Sequence, residues 1–335
     1  MKLLALFISA AVAAFTLSQA ASALDVTAGG TGFRKTKGED KWLYYRDKVE
    51  KDSAGAIKVK MLIYGELGSE ENLVSGIRRG RVQIANWSGA VATTVVPEMA
   101  VLYAPYLFED YAEADFVMDN FLFPAYAKLF ADKDIYFLSW DEIGFGEVWA
   151  KTPLIEPADV KGKRFRISSS DAAQLFAQSL NADVIPLAFT DIVSSLQTGL
   201  IEAGETGAVM YMRTGIANDA KHLTITDHSF ATSVIVIRKS YLDKLPEAER
   251  KILINSWLPM DLSRQWTREE VAGDMARAKE LGITVHTLTP EQKARWRAAT
   301  APVAKKLIDK IGGDAQRIWD IAQDGKKAYA AQKAK

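Results

Sequence analysis

The stretch from residue 157 to residue 207 constrains the fold of this chain most, because its hydrophobic pattern alternates between the periods of strand and helix. Charged and apolar residues alternate at its start, as in a strand with one buried face. The predicted elements are a strand over 163–167, a helix over 171–180, a strand over 182–187, a helix from 190 to 199 and a strand over 200–203. This β-α-β-α-β order with short connections predicts a parallel sheet.

Capping residues support these boundaries. Ser169 or Ser170 precedes the first helix and can accept a hydrogen bond from a free backbone N–H of its first turn. Thr190 is expected to cap the second helix in the same way, and Gly199 to end it. Glu205 and Thr206 are then expected to follow the third strand.

The rest of the chain has the same α/β alternation. Upstream, strands are predicted over 25–28, 57–64, 82–86 and 135–139, and helices over 41–51, 69–79 and 110–129. Downstream, a strand is predicted over 230–238, followed by long helices over 242–257 and 261–281, a helix capped by Thr289, and a solvated, Lys- and Ala-rich helical tail. The pattern predicts an α/β protein of two domains.

Composition limits the possible functions. The chain has 335 residues, 48% of them hydrophobic, and its 42 basic residues equal its 42 acidic ones. This balance gives no electrostatic case for binding nucleic acid or an anionic membrane surface. The absence of cysteine excludes disulfides and thiolate chemistry.

Residues 1–23, with Lys2, an apolar run and a small-residue end at Ala23, predict a signal peptide cleaved after Ala23 and export to the periplasm.

Several short motifs, in a fixed order, resemble one family. D-x-K-G-x-x-x-R ends at Arg166, P-x-x-F-T-D spans 186–191, and L-Q-T-G spans 196–199. Together with G-E-L-G-S-E-E, G-R-V-Q-I-A and Y-A-P-Y-L-F-E-D nearer the N-terminus, this set is similar to the solute-binding proteins of TRAP (tripartite ATP-independent periplasmic) transporters.

The resemblance covers nearly the whole mature chain and implies its architecture. It implies two α/β lobes joined by crossing strands and a long interdomain helix, with a ligand cleft between them. We expect the first lobe to comprise residues 24–143 and 232–271, and the second lobe residues 144–231 and 272–335. The protein is expected to be a monomer that needs no cofactor and no metal.

The resemblance also implies the residues of the cleft. Arg166 matches the arginine that holds a substrate carboxylate, a task for which a planar guanidinium is well suited. Phe189 matches a phenylalanine that packs on the ligand. Glu205 and Thr206 stand where many members have Glu-Asn, and Gly146 stands where members often have a second arginine. The lost arginine makes a small dicarboxylate or sugar acid held by two arginines less favourable. Together with the tryptophans below, its loss indicates a bulkier, partly apolar or aromatic monocarboxylate, or a cation such as a betaine.

Aromatic and polar residues complete the predicted site. Trp87 and Ser88 are expected in a loop of the first lobe, just after a strand, and Trp140 near the crossing region. Each tryptophan could equally serve only the core. Ser169 and His228 are further candidates for ligand contact. No residues combine a nucleophile with a base, and the histidine spacing matches no common zinc site.

The sequence therefore predicts a TRAP solute-binding protein that captures an organic acid and passes it to a small and a large membrane permease subunit. The first alternative is a similar receptor that serves an ABC importer or a sensor kinase. The second, of a different class, is a periplasmic enzyme, which turnover of the bound solute would reveal.

Overall fold

The computed structural model describes residues 23–334, so the predicted signal peptide lies almost entirely outside the described residues. The protein is α/β, as the sequence predicts, and its strands form one mixed sheet. The strands are β1 (Leu24–Gly29), β2 (Ile57–Leu62), β3 (Ile84–Ser88), β4 (Ile135–Ala150), β5 (Arg164–Ile167), β6 (Asp183–Pro186), β7 (Ala203–Gly207), β8 (His222–Arg238) and β9 (Thr284–Thr287).

Helices cover the sheet and account for most of the remaining chain. They are α1 (Lys37–Asp52), α2 (Glu70–Arg78), α3 (Gly89–Ala92), α4 (Tyr111–Val117), α5 (Phe123–Ala131), α6 (Asp171–Ser179), α7 (Ile192–Thr198), α8 (Ala208–Arg213), α9 (Ile216–Asp219), α10 (Lys239–Leu242), α11 (Glu247–Asn255), α12 (Met260–Ala276), α13 (Pro290–Thr300), α14 (Val303–Ile311) and α15 (Ala315–Lys333). A π-helical turn, Met118–Leu122, joins α4 to α5. No helix in the described range has the length and apolarity needed to cross a membrane.

The sheet consists of two halves connected by two long strands. Its order is β2-β1-β3-β8-β4-β7-β5-β6, and β9 pairs with β8. The first half contains β2, β1 and β3, the second half contains β7, β5 and β6, and β8 and β4 connect them. The β4 and β8 strands run antiparallel from Ile135 opposite Arg238 to Ala150 opposite His222, so both extend through the two halves. Both are much longer than the segments 135–139 and 230–238 predicted from sequence, because their polar and glycine residues continue the pairing.

Irregular pairing bends these crossing strands. The register of β4 against β8 shifts between Glu142 and Gly144 and again between Gly146 and Val148. Gly144 has a φ of 105°, in the left-handed region that a residue with a side chain rarely adopts. Bulges of this kind increase local twist and re-aim the strand. They lie where the chain passes from one half of the sheet to the other.

The β-α-β-α-β unit is confirmed, with two corrections. β5 pairs in parallel with both β6 and β7, and the Ser170 hydroxyl caps α6 by accepting from the Ala172 N–H at 3.2 Å. Thr190 does not cap α7: it lies within a 3-10 turn, Phe189–Asp191, that precedes that helix. The third strand begins three residues later than 200–203 indicated, so Glu205 and Thr206 lie inside β7. An apolar run in the sequence marks burial, whereas the pairing of β7 with β4 continues through polar residues beyond that run.

Two predictions for the C-terminal third are wrong. The segment 242–257 is not one helix, because Pro246 has no N–H to donate and separates α10 from α11. The tail is not merely solvated: α15 buries Ile318 and Ala322 in the same apolar cluster as Leu122 and Phe130. Since that cluster also contains Leu307 of α14, we propose counting α14 and α15 with the first half of the sheet.

Candidate functional site

Arg166 lies near the end of β5, where its buried charge is held by a backbone carbonyl. The residue is 4% exposed, and its Nε and one terminal nitrogen donate to the Leu187 carbonyl at 3.2 and 3.0 Å. Among residues 23–334, no carboxylate forms an ion pair with it. Burial lowers the pKa of this guanidinium, and the nearby Glu205 charge opposes that shift. A buried guanidinium that lacks an anion favours binding one.

Phe189 stands beside this arginine. It begins the turn after β6, is half-buried, and its ring centroid lies 5.8 Å from the Arg166 guanidinium carbon. An aromatic ring in this position attracts the guanidinium cation weakly and helps to hold its orientation. The structure thus brings Phe189, the residue that the motifs implied would pack on the ligand, next to the charge of Arg166.

Glu205 and Thr206 extend along β7 beside the same site. β7 pairs with β4, so that Glu205 lies opposite Val148 and Thr206 opposite Glu147. Burial raises the pKa of Glu205, and the Arg166 charge opposes this shift. Within the described range, its carboxylate has no hydrogen-bond or ion-pair partner, although it is only partly exposed. The neighbouring Gly204 lies opposite Arg166 in the pairing of β7 with β5.

The first half of the sheet contributes a second acidic group. Ser88, which ends β3, donates to Glu70 through its N–H at 3.2 Å and through its hydroxyl at 2.5 Å. The hydroxyl of Tyr103 donates to the Thr232 carbonyl at 3.0 Å. Burial raises the pKa of Tyr103, and the charges of Glu205 and Glu70 raise it further. Both carboxylates, Glu70 from the first half of the sheet and Glu205 from the second, thus raise the pKa of this tyrosine.

The predicted tryptophans are core residues in this conformation. Trp87 does not follow a strand but lies within β3, fully buried, and its indole N–H has no partner among the described residues. Trp140 packs against Phe123, Phe137 and Tyr126. Their proposed contact with the ligand stays a prediction.

Ser169 and His228 differ in exposure. Ser169 is exposed at the start of α6, whereas the neighbouring Ser170 makes the cap. His228 is 2% exposed, stacks on Phe176 with centroids 4.0 Å apart, and has Nδ1 2.8 Å from the Thr226 hydroxyl. It also lies close to Gly146, where an added Cβ would be 3.6 Å from Nε2. Burial lowers the pKa of His228 to about 3.

The buried His228 should make the protein less stable in acid. Its pKa falls from 6.5 to about 3 on folding, so below pH 6.5 the unfolded chain binds a proton that the folded protein does not. Above pH 6.5 this histidine does not lower the free energy of unfolding. Below pH 6.5 it lowers the free energy of unfolding by up to about 1.4 kcal/mol per pH unit. Urea unfolding at several pH values, compared with His228→Gln, measures this slope. Glu147, whose pKa burial raises, has the opposite influence but is present in both proteins. Parallel pH profiles for the two proteins would contradict the prediction.

The motifs did not identify several residues that join the two halves. Arg213 of α8 forms a bidentate pair with Asp274 of α12 at 2.6 and 2.8 Å and donates to the Lys35 carbonyl at 2.8 Å. The motifs also failed to identify Glu70 and Tyr103. Glu70 looks like a helix-start residue and Tyr103 like a core aromatic, and only the fold shows which groups they face.

Comparisons with known proteins agree with this architecture. The family model for bacterial extracellular solute-binding protein, family 7 (DctP), matches residues 32–310. A solute-binding protein of Verminephrobacter eiseniae is 28% identical over 270 residues, which is 80% of each chain. The C4-dicarboxylate-binding periplasmic protein DctP of Rhodobacter capsulatus is 26% identical over 273 residues, covering 81% of this chain and 82% of that protein.

Solved structures have the same fold. A TRAP periplasmic solute-binding protein from Sulfitobacter, crystallised with β-D-galacturonate, superposes with a TM-score of 0.83. It is 22% identical, and the match covers 90% of this chain and 99% of that chain. At this identity the structural likeness establishes the two-lobe fold, while the family match supports the motif-based interpretation.

Proposed function

Because the chain belongs to the bacterial extracellular solute-binding proteins of family 7, we propose that it captures an organic acid between its two lobes and delivers it to TRAP permease subunits. The observation that carries this proposal is the buried Arg166 guanidinium, whose hydrogen-bond partner within the described part of the chain is a carbonyl and not a carboxylate. A ligand carboxylate would complete it. A relative named for the binding of C4-dicarboxylates supports an acidic ligand.

Binding drives closure if the ligand contacts both lobes. Arg166, Phe189 and Glu205 belong to the second half of the sheet, whereas Ser88 and Tyr103 belong to the first. A molecule that touches both sets binds the closed form better than the open form and so shifts the population toward it. The closed form would then be the one that the permease subunits recognise.

A thermal-shift screen tests the proposed binding. Aromatic, keto, hydroxy and sugar acids are added one at a time, and the melting temperature is compared with that of the free protein. A ligand present at a hundred times its dissociation constant stabilises by about 2.7 kcal/mol. Isothermal titration then gives the affinity, and recovery of the unchanged acid separates binding from turnover. Chemical conversion of the acid would favour the enzyme alternative.

The signal peptide leads to a separate prediction. β1 begins at Leu24, whose N–H donates to the Ala56 carbonyl at 2.8 Å, so the ordered sheet starts at the residue that follows the predicted cleavage site. We expect mass spectrometry of protein recovered from the periplasm to place Leu24 at the N-terminus. A membrane-bound form that retains Met1 would contradict this expectation.

A further inference from the structure

Gly204 separates the candidate anchor from a fully buried tryptophan. In the pairing of β7 with β5, Gly204 lies opposite Arg166, and in the pairing of β7 with β4 it lies opposite Trp149. Residues directly opposite each other in a sheet project from the same face, and neighbouring strands lie about 4.8 Å apart. Arg166 and Trp149 therefore flank Gly204 on one face of the sheet, two strand spacings apart, with no side chain from the strand between them.

The indole of Trp149 fills the space above this glycine. A Cβ added at Gly204 would overlap Cζ2 of the indole and would lie 2.6 Å from Cη2 and 2.9 Å from Cε2. Carbon atoms that are not bonded stay well beyond these separations, so only a glycine leaves room for the ring here. The indole thus reaches from β4 across β7, toward the strand that carries Arg166.

The apolar cluster around Trp149 also supports the other side of Arg166. Leu187 and Phe189 pack against the buried cluster to which Trp149 belongs. Leu187 supplies the carbonyl that accepts from the guanidinium at 3.2 and 3.0 Å, and the Phe189 ring centroid lies 5.8 Å from the guanidinium carbon. These two residues, which follow β6, hold the guanidinium from one side. On the β7 side, the indole of Trp149 takes the place of the side chain that Gly204 lacks.

The size of the indole, and not its N–H group, is what this position uses. Trp149 is 0% exposed, and its indole N–H has no hydrogen-bond partner among residues 23–334. A buried tryptophan usually finds a partner for this group, and a phenylalanine would fill an apolar position without leaving a donor unpaired. Trp149 therefore contributes the volume of its second ring at a point where β7 has no side chain.

We propose that Trp149 is a positioning residue for ligand binding, because its indole closes the β7 side of Arg166 and keeps the guanidinium on the Leu187 carbonyl, directed at the ligand carboxylate. This inference rests on the proposed function. A guanidinium binds a carboxylate through two parallel hydrogen bonds, so a rotation of the guanidinium weakens both. Trp149 is fully buried and acts through Arg166 without touching the ligand.

Two substitutions that exchange volume between neighbouring strands test this role. Trp149→Phe removes the second ring, whose atoms lie over Gly204, and Gly204→Ala adds a methyl group at the place of those atoms. Trp296→Phe is the matched control. Trp296 is also 0% exposed, but it belongs to the cluster of Phe165 and Ala203, which alternate with Arg166 and Gly204 and so project from the opposite face of the same strands.

The first measurement needs no ligand. Exchange of the Arg166 Nε–H with water is followed by NMR in the free protein, and the signal is assigned by its loss in Arg166→Lys. We expect Trp149→Phe and Gly204→Ala each to accelerate this exchange by about tenfold or more, because the hydrogen bond to Leu187 opens more often. The double variant Trp149→Phe/Gly204→Ala should restore slow exchange, and Trp296→Phe should leave it unchanged.

The second measurement is isothermal titration with the acid that raises the melting temperature most in the thermal-shift screen. Trp149→Phe and Gly204→Ala should each weaken its binding by about fivefold or more, since a misdirected guanidinium loses part of the bidentate contact. The double variant should recover most of this affinity. Trp296→Phe should bind as the wild-type protein does, although urea unfolding should show that it, too, is less stable.

Unchanged exchange of the Arg166 Nε–H in a folded Trp149→Phe protein would overturn the inference, whichever acid binds. A double variant no better than Trp149→Phe, or equal effects of Trp149→Phe and Trp296→Phe, would also overturn it, because either result indicates a general loosening of the core. If only Arg166→Ala loses binding, the proposed function holds and this inference alone is contradicted. If Arg166→Ala binds every acid as the wild-type protein does, the carboxylate site itself is contradicted, and this inference with it.

Discussion

Arg166→Ala is expected to weaken binding of the acid ligand by about thirtyfold to several thousandfold, which corresponds to about 2–5 kcal/mol. The substitution leaves the ligand carboxylate without its charged partner in a closed site. The guanidinium is already held by the Leu187 carbonyl, so that little further ordering is needed when the ligand binds. Isothermal titration with the tightest acid from the screen measures the loss.

Two other substitutions serve as comparisons. Arg166→Lys should recover only part of the affinity, because an ammonium cannot form the two parallel hydrogen bonds of a guanidinium. Arg164→Ala is the matched control from the same strand: Arg164 is exposed and pairs with Glu202 at 3.0 Å, so binding should be nearly normal. Full binding by a folded Arg166→Ala protein would mean that the carboxylate is held elsewhere.

Asp141→Ala should lower the free energy of unfolding by about 3–5 kcal/mol, because it leaves a buried lysine without its charged partner. The side chain of Lys41 is 3% exposed, and its ammonium lies 2.6 Å from Asp141 and 2.8 Å from the Thr267 hydroxyl. Asn86 donates to the other Asp141 oxygen at 2.7 Å. Removing the carboxylate leaves a charge in the interior with only neutral partners. Urea unfolding of the purified protein measures the loss.

An exposed ion pair on the same helix provides the control. Lys48 of α1 pairs with Asp52 at 2.6 Å, and both side chains are more than a third exposed. Asp52→Ala should therefore change stability by no more than about 1 kcal/mol. Equal effects of Asp141→Ala and Asp52→Ala would show that Lys41 is solvated in the folded protein. The network matters for function because Asp141 lies on β4, beside the irregular pairing at which the strand passes between the two halves.

Local patterns were reliable where they depend on neighbouring residues. Thr289 caps α13 as predicted, with Gln292 completing a capping box, and Gly199 ends α7 with a φ of 76°. Hydrogen bonds and dihedral angles of this kind involve residues a few positions apart. The order of strands and helices between residues 157 and 207 followed from the same local signals.

Local patterns failed where distant chain segments decide the result. The apolar runs near residues 82 and 200 indicated strands that end two to four residues too early, because pairing with β8 and β4 extends them through Trp87 and Glu205. α15 looked solvated, yet Gly325 lies so close to α4 that an added Cβ would be 2.8 Å from Val117. Neither the strand partner nor the helix partner is near in sequence.

The sequence by itself determined the α/β class, the parallel unit and, through its motifs, the family and Arg166 as the candidate anchor. These follow from periodicity, caps and short ordered motifs, which are properties of contiguous residues. Only the tertiary structure decided that, within residues 23–334, the buried Arg166 has a carbonyl and not a carboxylate as its hydrogen-bond partner. It also joined Glu70 to Ser88 and the Tyr103 hydroxyl to the Thr232 carbonyl. Burial and the pairing of charges depend on which segments meet in space. Here the antiparallel pairing of β4 with β8, which are some ninety residues apart in sequence, brings those segments together.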